Sequence, residues 1–200
     1  MNSLLLDRTV IVTGAATGIG QAFAVGCAAA GASVVVADMN PCDETLAIIE
    51  RAGSKALAIQ TDVSDDASAQ RMAEQALARF GRIDGLVNNA AYFREVRLTE
   101  FEQLDPAQGD RLFAVNVKGV WLCSKSVMPA MRLQGCGSIV NIASVVAVAG
   151  QPGYLHYVAS KGAVLAMTKG LAKEVGFCVR ADDRRRRRPH HVLTTRKSRS

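Results

Sequence analysis

The sequence predicts an α/β fold, namely a doubly wound parallel sheet with helices packed on both faces. Three observations predict it. Short apolar segments rich in valine alternate with longer segments of helical periodicity, which is typical of strand–helix–strand units. The apolar segments lack polar alternation, so both faces of the sheet are predicted to be buried. A hydrophobic content of 49% over 200 residues is enough for the core of one such domain.

The elements follow one another in a regular order. Strands are predicted at residues 9–12, 33–37, 56–60, 85–87 and 138–142. Helices are predicted at residues 21–30, 43–52, 65–80, 106–133 and 154–175. Gly31, Gly53 and Gly81 end the first three helices, and Pro129 marks a kink or boundary in the fourth. Right-handed crossovers between successive strands then place helices on both faces of the sheet.

The positive charge of the chain is concentrated at one end. Residues 177–200 carry nine basic and two acidic side chains, whereas the other 176 residues carry 15 and 16. We therefore predict one nearly neutral domain at 1–176 and a basic, disordered tail at 177–200. The five arginines at 184–188 could bind nucleic acid or another acidic surface. Because the tail has no interleaved aromatics and no folded motif to present it, we expect no specific nucleic-acid binding.

Residues outside the strand ends give few functional signals. The five cysteines are scattered, with no CxxC pair, so we expect neither a disulfide framework nor a metal site. No leader-like segment and no apolar run of about 18 residues is present, so we expect a cytoplasmic protein without a membrane anchor. Trp121 is predicted to lie in the core, and His156 to line a pocket or face solvent.

A glycine-rich turn, TGAATGIG at residues 13–20, separates the first strand from the first helix. Glycines permit a tight turn and a close approach of the backbone to a pyrophosphate, and the following helix directs its free N–H groups at that anion. Ordinary turn chemistry could also explain this composition, but its place between a strand and a helix favours dinucleotide binding. The candidate binding residues are Thr13, Gly14, Thr17, Gly18, Ile19 and Gly20.

Polar residues also follow the next three strands. Asp38 closes the second strand, where a carboxylate accepts hydrogen bonds from the adenosine ribose and repels a 2′-phosphate, so NAD is favoured over NADP. Asp62 and Val63 follow the third strand and are candidates for adenine contact. Asn89 and Ala90 follow the fourth. Each could be an ordinary turn residue, but the carboxyl ends of parallel strands are where such folds bind ligands.

Tyr157 and Lys161 form a candidate proton-transfer pair. They are four residues apart on a predicted helix and so share a face, although an exposed i, i+4 pair has the same spacing. A phenol has a pKa of about 10, and a nearby ammonium is expected to lower it, so that the tyrosine can exchange a proton with a substrate oxygen. Ser144, at the end of the fifth strand, is expected to hold that oxygen by a hydrogen bond.

Together these motifs, with the Asn-Val-Lys-Gly segment that begins at Asn116, resemble the short-chain dehydrogenase/reductase family over residues 7–176. The resemblance implies a Rossmann fold and a catalytic tetrad of Asn116, Ser144, Tyr157 and Lys161. It also implies that Lys161 binds the nicotinamide ribose and that Asn116 helps to hold a water leading to it. The implied reaction interconverts an alcohol and a ketone, as in 3-oxoacyl reductases and small secondary-alcohol dehydrogenases. A homo-oligomer that pairs the two long helices is implied as well.

The chain departs from the family pattern after residue 176. Family members usually continue through a sixth strand, a Pro-Gly turn beside the nicotinamide, a lid over the substrate and a seventh strand. None of these is visible in 177–200, so the fifth strand is expected to be an exposed sheet edge and turnover to be weakened or absent. The alternative function is an impaired fragment that keeps nucleotide binding or subunit association. The substrate region that remains, around Tyr92, Phe93, Val145 and 150–155, predicts an apolar pocket.

Overall fold

The computed structural model describes residues 4–176, and the segment predicted to be a disordered tail, 177–200, lies outside the described residues. The strands within 4–176 are β1 (Thr9–Thr13), β2 (Ser33–Asp38), β3 (Ala56–Gln60), β4 (Gly85–Asn88) and β5 (Ser138–Asn141). They form one parallel sheet in the order β3-β2-β1-β4-β5. The predicted doubly wound α/β fold is confirmed.

The helices differ from the prediction mainly in the middle of the chain. They are α1 (Gly18–Ala29), α2 (Asp43–Arg51), α3 (Asp66–Phe80), α4 (Pro106–Phe113), α5 (Gly119–Gln134), α6 (Val146–Ala149) and α7 (Leu155–Val175). The helical segment predicted at 106–133 is confirmed in extent, but it contains a π-helical turn at Ala114–Lys118 that joins α4 to α5. Such a turn adds a residue per turn, which a 3.6-residue periodicity does not reveal. None of the helices within 4–176 is both long and apolar enough to cross a membrane.

Local sequence signals set several of the helix ends. The Asp65 carboxylate accepts a hydrogen bond from the backbone N–H of Ser68 and so caps α3, and Gly81, with a φ of +75°, ends that helix. Asp105 caps α4 just before Pro106, a residue favoured in the first helical turn. Pro129 lies inside α5 rather than at a helix boundary.

The core consists of two apolar layers, one on each face of the sheet. Ile11 of β1 lies in one buried cluster with Met72 of α3 and Val127 of α5. The next residue, Val12, lies in a second cluster with Ala24 of α1. All five side chains are fully buried. Because successive residues of a strand point to opposite faces, an apolar strand needs a helix layer on each side, as the sequence predicted.

The carboxyl ends of all five strands meet at one edge of the sheet. At that edge the register pairs Asp38 with Gln60 and Asn88 with Asn141. From β1 the sheet extends through β2 and β3 on one side and through β4 and β5 on the other. The strand order therefore reverses between β1 and β4, and ligands bind at such a reversal in open α/β sheets.

The opposite, amino edge of the sheet is held by Asp84, which precedes β4. Its carboxylate accepts hydrogen bonds from Thr9 N at 2.9 Å and Arg8 Nη1 at 2.9 Å. Arg82 adds two more, from Nε at 2.7 Å and Nη2 at 2.6 Å. Burial raises the pKa of Asp84, but the hydrogen bonds from Arg82, Thr9 and Arg8 outweigh burial and lower the pKa below its ordinary value.

β5 is an edge strand of the described sheet. It pairs with β4 alone, and its Val140 is 48% exposed. The expectation that the fifth strand would form an exposed edge is therefore confirmed for residues 4–176.

Candidate active site

The three glycines of the glycine-rich turn at 13–20, of which Gly18 and Gly20 lie in the first turn of α1, have different surroundings. Gly14 has a left-handed φ of +66°, and a Cβ on it would come within 2.7 Å of the Ala90 Cα. Gly18 also has a left-handed φ, +62°, but a Cβ there would meet nothing within 4 Å. A Cβ on Gly20 would overlap the Gly14 carbonyl and the Asn89 amide. The first and third glycines thus pack the turn tightly, whereas the second leaves space in which an anion can approach the backbone.

The amino end of α1 has no anionic partner. Thr17 is its N-cap residue, with an extended backbone and no side-chain capping bond, and the first turn contains no acidic residue. By contrast, α3 is capped by the carboxylate of Asp65. The N–H groups at the start of a helix and the positive end of its dipole attract anions. The open amino end of α1 therefore fits a diphosphate, as a dinucleotide site at the glycine turn requires.

Asn89 and Ala90 hold the glycine turn against the end of β4. The Thr13 hydroxyl accepts hydrogen bonds from both of their backbone N–H groups, each at 3.1 Å. The Asn89 side-chain amide donates to the carbonyls of Thr13 at 3.0 Å and Gly14 at 3.1 Å. The structure therefore brings these predicted residues together. The N–H groups of Asn89 and Ala90 donate hydrogen bonds to the glycine turn and so stabilise its shape.

Asp38 lies at the end of β2, beside the glycine turn. Its Oδ2 accepts a hydrogen bond from Ala16 N at 3.0 Å. Its Oδ1 accepts from Asn40 N at 2.9 Å and Asn40 Nδ2 at 3.1 Å. Within residues 4–176 it forms no ion pair with lysine or arginine. The carboxylate is thus held in one orientation by three hydrogen bonds and has no ion-pair partner among the described residues.

Asp62 and Val63 follow β3. The Asp62 Oδ1 accepts hydrogen bonds from Ser64 N at 2.9 Å and Ser64 Oγ at 2.7 Å, so the local turn fixes this carboxylate as well. Val63 is buried, and a Cβ on Gly119 would come within 2.8 Å of its Cγ2. The side chain of Val63 therefore belongs to the core, and its predicted contact with adenine would have to come from its backbone.

Tyr157 and Lys161 lie one turn apart on α7. The Lys161 Nζ is 5.8 Å from the centre of the Tyr157 ring and donates a hydrogen bond to the Ile142 carbonyl at 2.8 Å. Lys161 is 4% exposed, and burial lowers its pKa. Burial raises the pKa of Tyr157, while the Ser144 hydroxyl acts in the opposite direction. The expected lowering of the phenol pKa by the ammonium is not found here: burial raises this pKa, and the opposing effect comes from Ser144 rather than from Lys161.

Ser144 does not end the fifth strand as predicted. β5 ends at Asn141, and the next residue, Ile142, still donates its N–H to the Asn88 carbonyl at 3.0 Å before the chain leaves the sheet. Ser144 lies in the loop that leads into α6, where its Oγ accepts a hydrogen bond from Val146 N at 3.4 Å. From this loop it acts on the pKa of Tyr157, so the two side chains are neighbours despite the shifted strand boundary.

Asn116 lies in the π-helical turn and is fully buried. Its Oδ1 accepts a hydrogen bond from Tyr92 N at 2.7 Å, and its Nδ2 donates to Ser160 Oγ at 3.2 Å. The amide thereby joins the loop after β4 to α7 at the residue next to Lys161. Ser160 was not identified from the sequence, because no spacing rule links it to a residue 44 positions away. The water-holding role that the resemblance implies for Asn116 remains a prediction.

Aromatic rings surround the phenol of Tyr157. The Phe93 ring centre is 4.6 Å from that of Tyr157, and the Tyr154 ring centre is 6.3 Å from it. Phe93 comes from the loop after β4, and Tyr154 precedes α7. The two segments predicted to form the substrate region therefore meet at the tyrosine, and they give the site an apolar wall.

Two residues outside the motifs differ from their predictions. Trp121 is 53% exposed rather than in the core, because it lines a groove between α7 and the segment from α4 to the start of α5. His156 is buried, which excludes the predicted solvent-facing position, and neither ring nitrogen has a hydrogen-bond partner in the described chain. Burial lowers its pKa and so favours the neutral ring. Across residues 4–176, no three histidine, cysteine or acidic side chains are grouped to hold a metal ion.

The arrangement of the glycine turn, the acids at the strand ends and the tyrosine–lysine pair agrees with comparisons to known proteins. A profile of the short chain dehydrogenase family matches residues 8–179. The chain belongs to this family. Membership makes it an oxidoreductase of the class that acts on CH–OH and keto groups, and the predicted resemblance is confirmed.

Individual relatives of this short-chain dehydrogenase differ in substrate. A 3-oxoacyl-[acyl-carrier-protein] reductase of Synechocystis is 37% identical over 174 residues, covering 86% of this chain and 69% of the relative. A 2-(R)-hydroxypropyl-CoM dehydrogenase of Xanthobacter autotrophicus is 38% identical, with coverage of 84% and 68%. The identities are similar although the named substrates differ, so similarity alone does not select a substrate.

Solved structures agree in fold as well as sequence. Levodione reductase superposes with a TM-score of 0.84 at 34% identity, covering 88% of this chain and 69% of that protein. NAD⁺-bound xylitol dehydrogenase superposes with a TM-score of 0.85 at 29% identity, with coverage of 88% and 68%. The sheet and helices described above are therefore those of solved family members.

Proposed function

We propose that this short-chain dehydrogenase is NAD-dependent and transfers a hydride between nicotinamide and the carbon of an alcohol or ketone, with Tyr157 exchanging the proton. The observation that carries the proposal is that an open glycine turn and the pair of half-buried Tyr157 and buried Lys161 lie at the same edge of the sheet. Bound NAD would supply or accept the hydride. The side chains of this protein would bind, orient and exchange the proton.

The cofactor is proposed to lie along the carboxyl edge of the strands. The residues that would hold it are Thr13, Gly14, Thr17, Gly18, Ile19, Gly20, Asp38, Asp62, Val63, Asn89, Ala90, Tyr157 and Lys161. Asp38 supports NAD over NADP, because its fixed carboxylate would repel a 2′-phosphate. The NAD⁺-bound state of xylitol dehydrogenase is consistent with this preference.

The proton step is proposed to run through a phenol that is protonated at neutral pH. Burial raises the pKa of Tyr157, so its O–H can donate to the substrate oxygen when a ketone is reduced. In the oxidising direction the deprotonated form of the same phenol would take the proton of the alcohol, so this direction requires that Tyr157 first lose its own proton. Ser144, a neighbour of the phenol, would hold the substrate oxygen. Lys161, held by the Ile142 carbonyl, has further N–H donors for the ribose hydroxyls of the cofactor.

The mouth of the proposed site favours an apolar substrate. Val145 is 79% exposed and Val148 83% exposed, both just after Ser144. Leu155 is 54% exposed at the start of α7, directly after Tyr154 of the apolar wall. Because exposed apolar side chains rarely cluster without a partner, we propose that they contact the hydrocarbon part of the ketone or secondary alcohol.

The test is turnover with a matched pair of tyrosine variants. The purified chain is assayed with NADH and a panel of apolar ketones and 3-oxoacyl thioesters, and with NAD and the matching alcohols. Removing a general acid–base group lowers the rate by about 10²- to 10⁴-fold, so Tyr157→Phe should lose activity to that extent while NADH binding persists. Tyr154→Phe keeps the aromatic contact and should retain activity. Equal activity of Tyr157→Phe and the wild-type protein would contradict the assignment.

A second candidate function is nucleotide binding or subunit association without turnover. The exposed edge strand β5, with Val140 48% exposed, favours it, because within residues 4–176 no further strand pairs with the sheet edge near Ser144. NADH binding combined with no turnover on the whole panel would select this alternative over the leading proposal.

We also propose that the chain forms a homo-oligomer through α5 and α7, as the family resemblance implies. An apolar groove of about 650 Å³ runs between α7 and the segment from α4 to the start of α5, and the half-exposed Trp121 lines it. Trp121→Glu should shift the sedimentation coefficient toward that of a monomer, whereas Leu133→Glu, at a 93% exposed position near the end of α5, should not. A cytoplasmic location is proposed too, and the four cysteines within residues 4–176, all free thiols, suit a reducing compartment.

A further inference from the structure

A cation from the loop after β4 reaches the glycine turn. The Arg94 Nη2 donates a hydrogen bond of 2.9 Å to the Thr17 Oγ1, across 77 residues of sequence. Thr17 is the N-cap residue of α1, and its hydroxyl makes no capping bond to the helix. The guanidinium is therefore fixed at the open amino end of α1, beside the turn that packs around Gly14 and Gly20.

The charges around this contact are unbalanced. Within residues 4–176, Arg94 forms no ion pair, whereas Arg8 and Arg82 both pair with Asp84 at the other edge of the sheet. A guanidinium has five N–H donors, and the bond to Thr17 is the one hydrogen bond that the described residues give to Arg94. The positive helix end and the positive side chain thus lie at the same place, where the first turn of α1 has no acidic residue and Arg94 has no ion-pair partner within residues 4–176.

We propose that Arg94 binds the diphosphate of the dinucleotide together with the glycine turn. This inference rests on the proposed function above and adds a binding residue that the sequence motifs do not include. The planar fork of a guanidinium matches two phosphate oxygens, and its hydrogen bonds to phosphate are charge-assisted. The existing bond to Thr17 holds the side chain at the site, which reduces the entropy lost when it binds an anion.

The position of Arg94 also connects the two halves of the site. Its neighbour Phe93 packs on the Tyr157 ring, with 4.6 Å between the ring centres. A diphosphate that fixes Arg94 would therefore also fix the aromatic wall beside the phenol. Loss of Arg94 should accordingly raise KM for NADH more than it lowers kcat.

The experiment measures dissociation constants of the full chain for NADH, ADP and adenosine by calorimetry. Arg94→Ala should weaken NADH and ADP by about 10-fold, the value of one charge-assisted hydrogen bond, and leave adenosine unchanged. Arg94→Lys should restore part of the loss, because it keeps the charge without the fork. Arg97→Ala is the matched control: Arg97 is exposed in the same loop, and its side chain makes no hydrogen bond within 4–176. Its affinities should equal those of the wild-type protein.

The outcomes separate this inference from the proposed function. If the wild-type protein binds NADH and ADP and Arg94→Ala binds them equally well or more tightly, Arg94 is not a diphosphate ligand while the proposed function stands. If the wild-type protein binds neither nucleotide, the proposed function and the assignment of Arg94 both fail. An equal loss for adenosine would also overturn the inference, because it would indicate a general change in the fold.

Discussion

The two edges of the parallel sheet carry similar charged side chains, but these side chains have different roles at each edge. At the amino edge, Asp84 accepts four hydrogen bonds from Arg8, Arg82 and Thr9, so that donors and acceptor satisfy one another. At the carboxyl edge, Asp38 carries an uncompensated charge and Arg94 has no acidic partner within the described residues. Charges that cancel within the protein stabilise the fold. Charges held in place without a partner are available to a ligand.

The same contrast extends to the helices. The amino end of α3, on one face of the sheet, is filled by the carboxylate of Asp65, whereas the amino end of α1 carries neither a side-chain cap nor an acid. Leaving a helix end open costs stability of about 1 kcal/mol relative to a good cap. We infer that the open amino end of α1 binds the diphosphate. If so, stability should depend on the amino edge of the sheet and cofactor binding on the carboxyl edge.

The largest expected effect is on stability at the amino edge. Asp84→Ala leaves two arginines and the Thr9 N–H without their shared acceptor, and we expect it to lower the free energy of unfolding by about 3 kcal/mol. Urea denaturation measures the change. The folded fraction should bind NADH as the wild-type protein does, because the site lies at the other edge. A loss of NADH affinity in folded Asp84→Ala would contradict the view that the two edges of the sheet have separate roles.

The next effect is on binding at the carboxyl edge. A methyl group on Gly20 overlaps the Gly14 carbonyl and must push the turn apart, which we expect to cost about 2 kcal/mol, or roughly 30-fold in the Kd for NADH. Gly26→Ala, in the same helix, is the matched control, because a Cβ there meets nothing within 4 Å. Fluorescence titration should give Gly26→Ala the wild-type affinity. Unchanged NADH affinity in Gly20→Ala would show that the turn does not bind the cofactor.

A smaller effect is expected on cofactor choice. Asp38→Ser removes the charge that opposes a 2′-phosphate, so the preference for NADH over NADPH should fall by about 10-fold, measured as the ratio of the two Kd values. Asp43→Ser removes a neighbouring acid in the first turn of α2 and should leave the ratio unchanged. A wild-type protein that already binds NADPH more tightly would contradict the assignment of NAD.

The smallest effect is a pH dependence of stability. The pKa of Asp84 is lowered in the folded state, so its contribution is fully present above its unfolded pKa of about 4 and is lost as pH falls through the folded value. The difference in Tm between the wild-type protein and Asp84→Asn should therefore narrow as the buffer is taken below about pH 4. A difference that stays constant down to pH 2 would mean that this carboxylate does not titrate with unfolding.

Much of this arrangement could be predicted from the sequence because it depends on local patterns. The apolar segments and the glycines that end the helices predicted the strand boundaries, and these boundaries placed the glycine turn and Asp38 at one edge of the sheet. The spacing of Tyr157 and Lys161 predicted that they share one helix face. Each of these inferences needs only neighbours within a few residues and the rule that parallel strands end together.

The rest depends on contacts between residues far apart in the chain. Arg94 meets Thr17 over 77 positions, and Arg8 meets Asp84 over 76. The π-helical turn was missed because it breaks the helical period, and Asn116 lies in that turn. The pKa of Tyr157 was expected to fall because the sequence spacing places the Lys161 ammonium on the same helix face. The burial of the phenol, which raises its pKa, depends on the packed fold and could not be predicted from that spacing.

The central claim is that the carboxyl edge holds NAD so that a hydride passes to a carbon beside Tyr157. The most direct measurement gives the protein NADH deuterated at the transferable position of nicotinamide, with the apolar ketone panel, and analyses the alcohols by mass spectrometry. We predict one deuterium on the carbinol carbon with the wild-type protein and a yield lower by at least about 100-fold with Tyr157→Phe. Bound NADH with no deuterium in any product would contradict the claim.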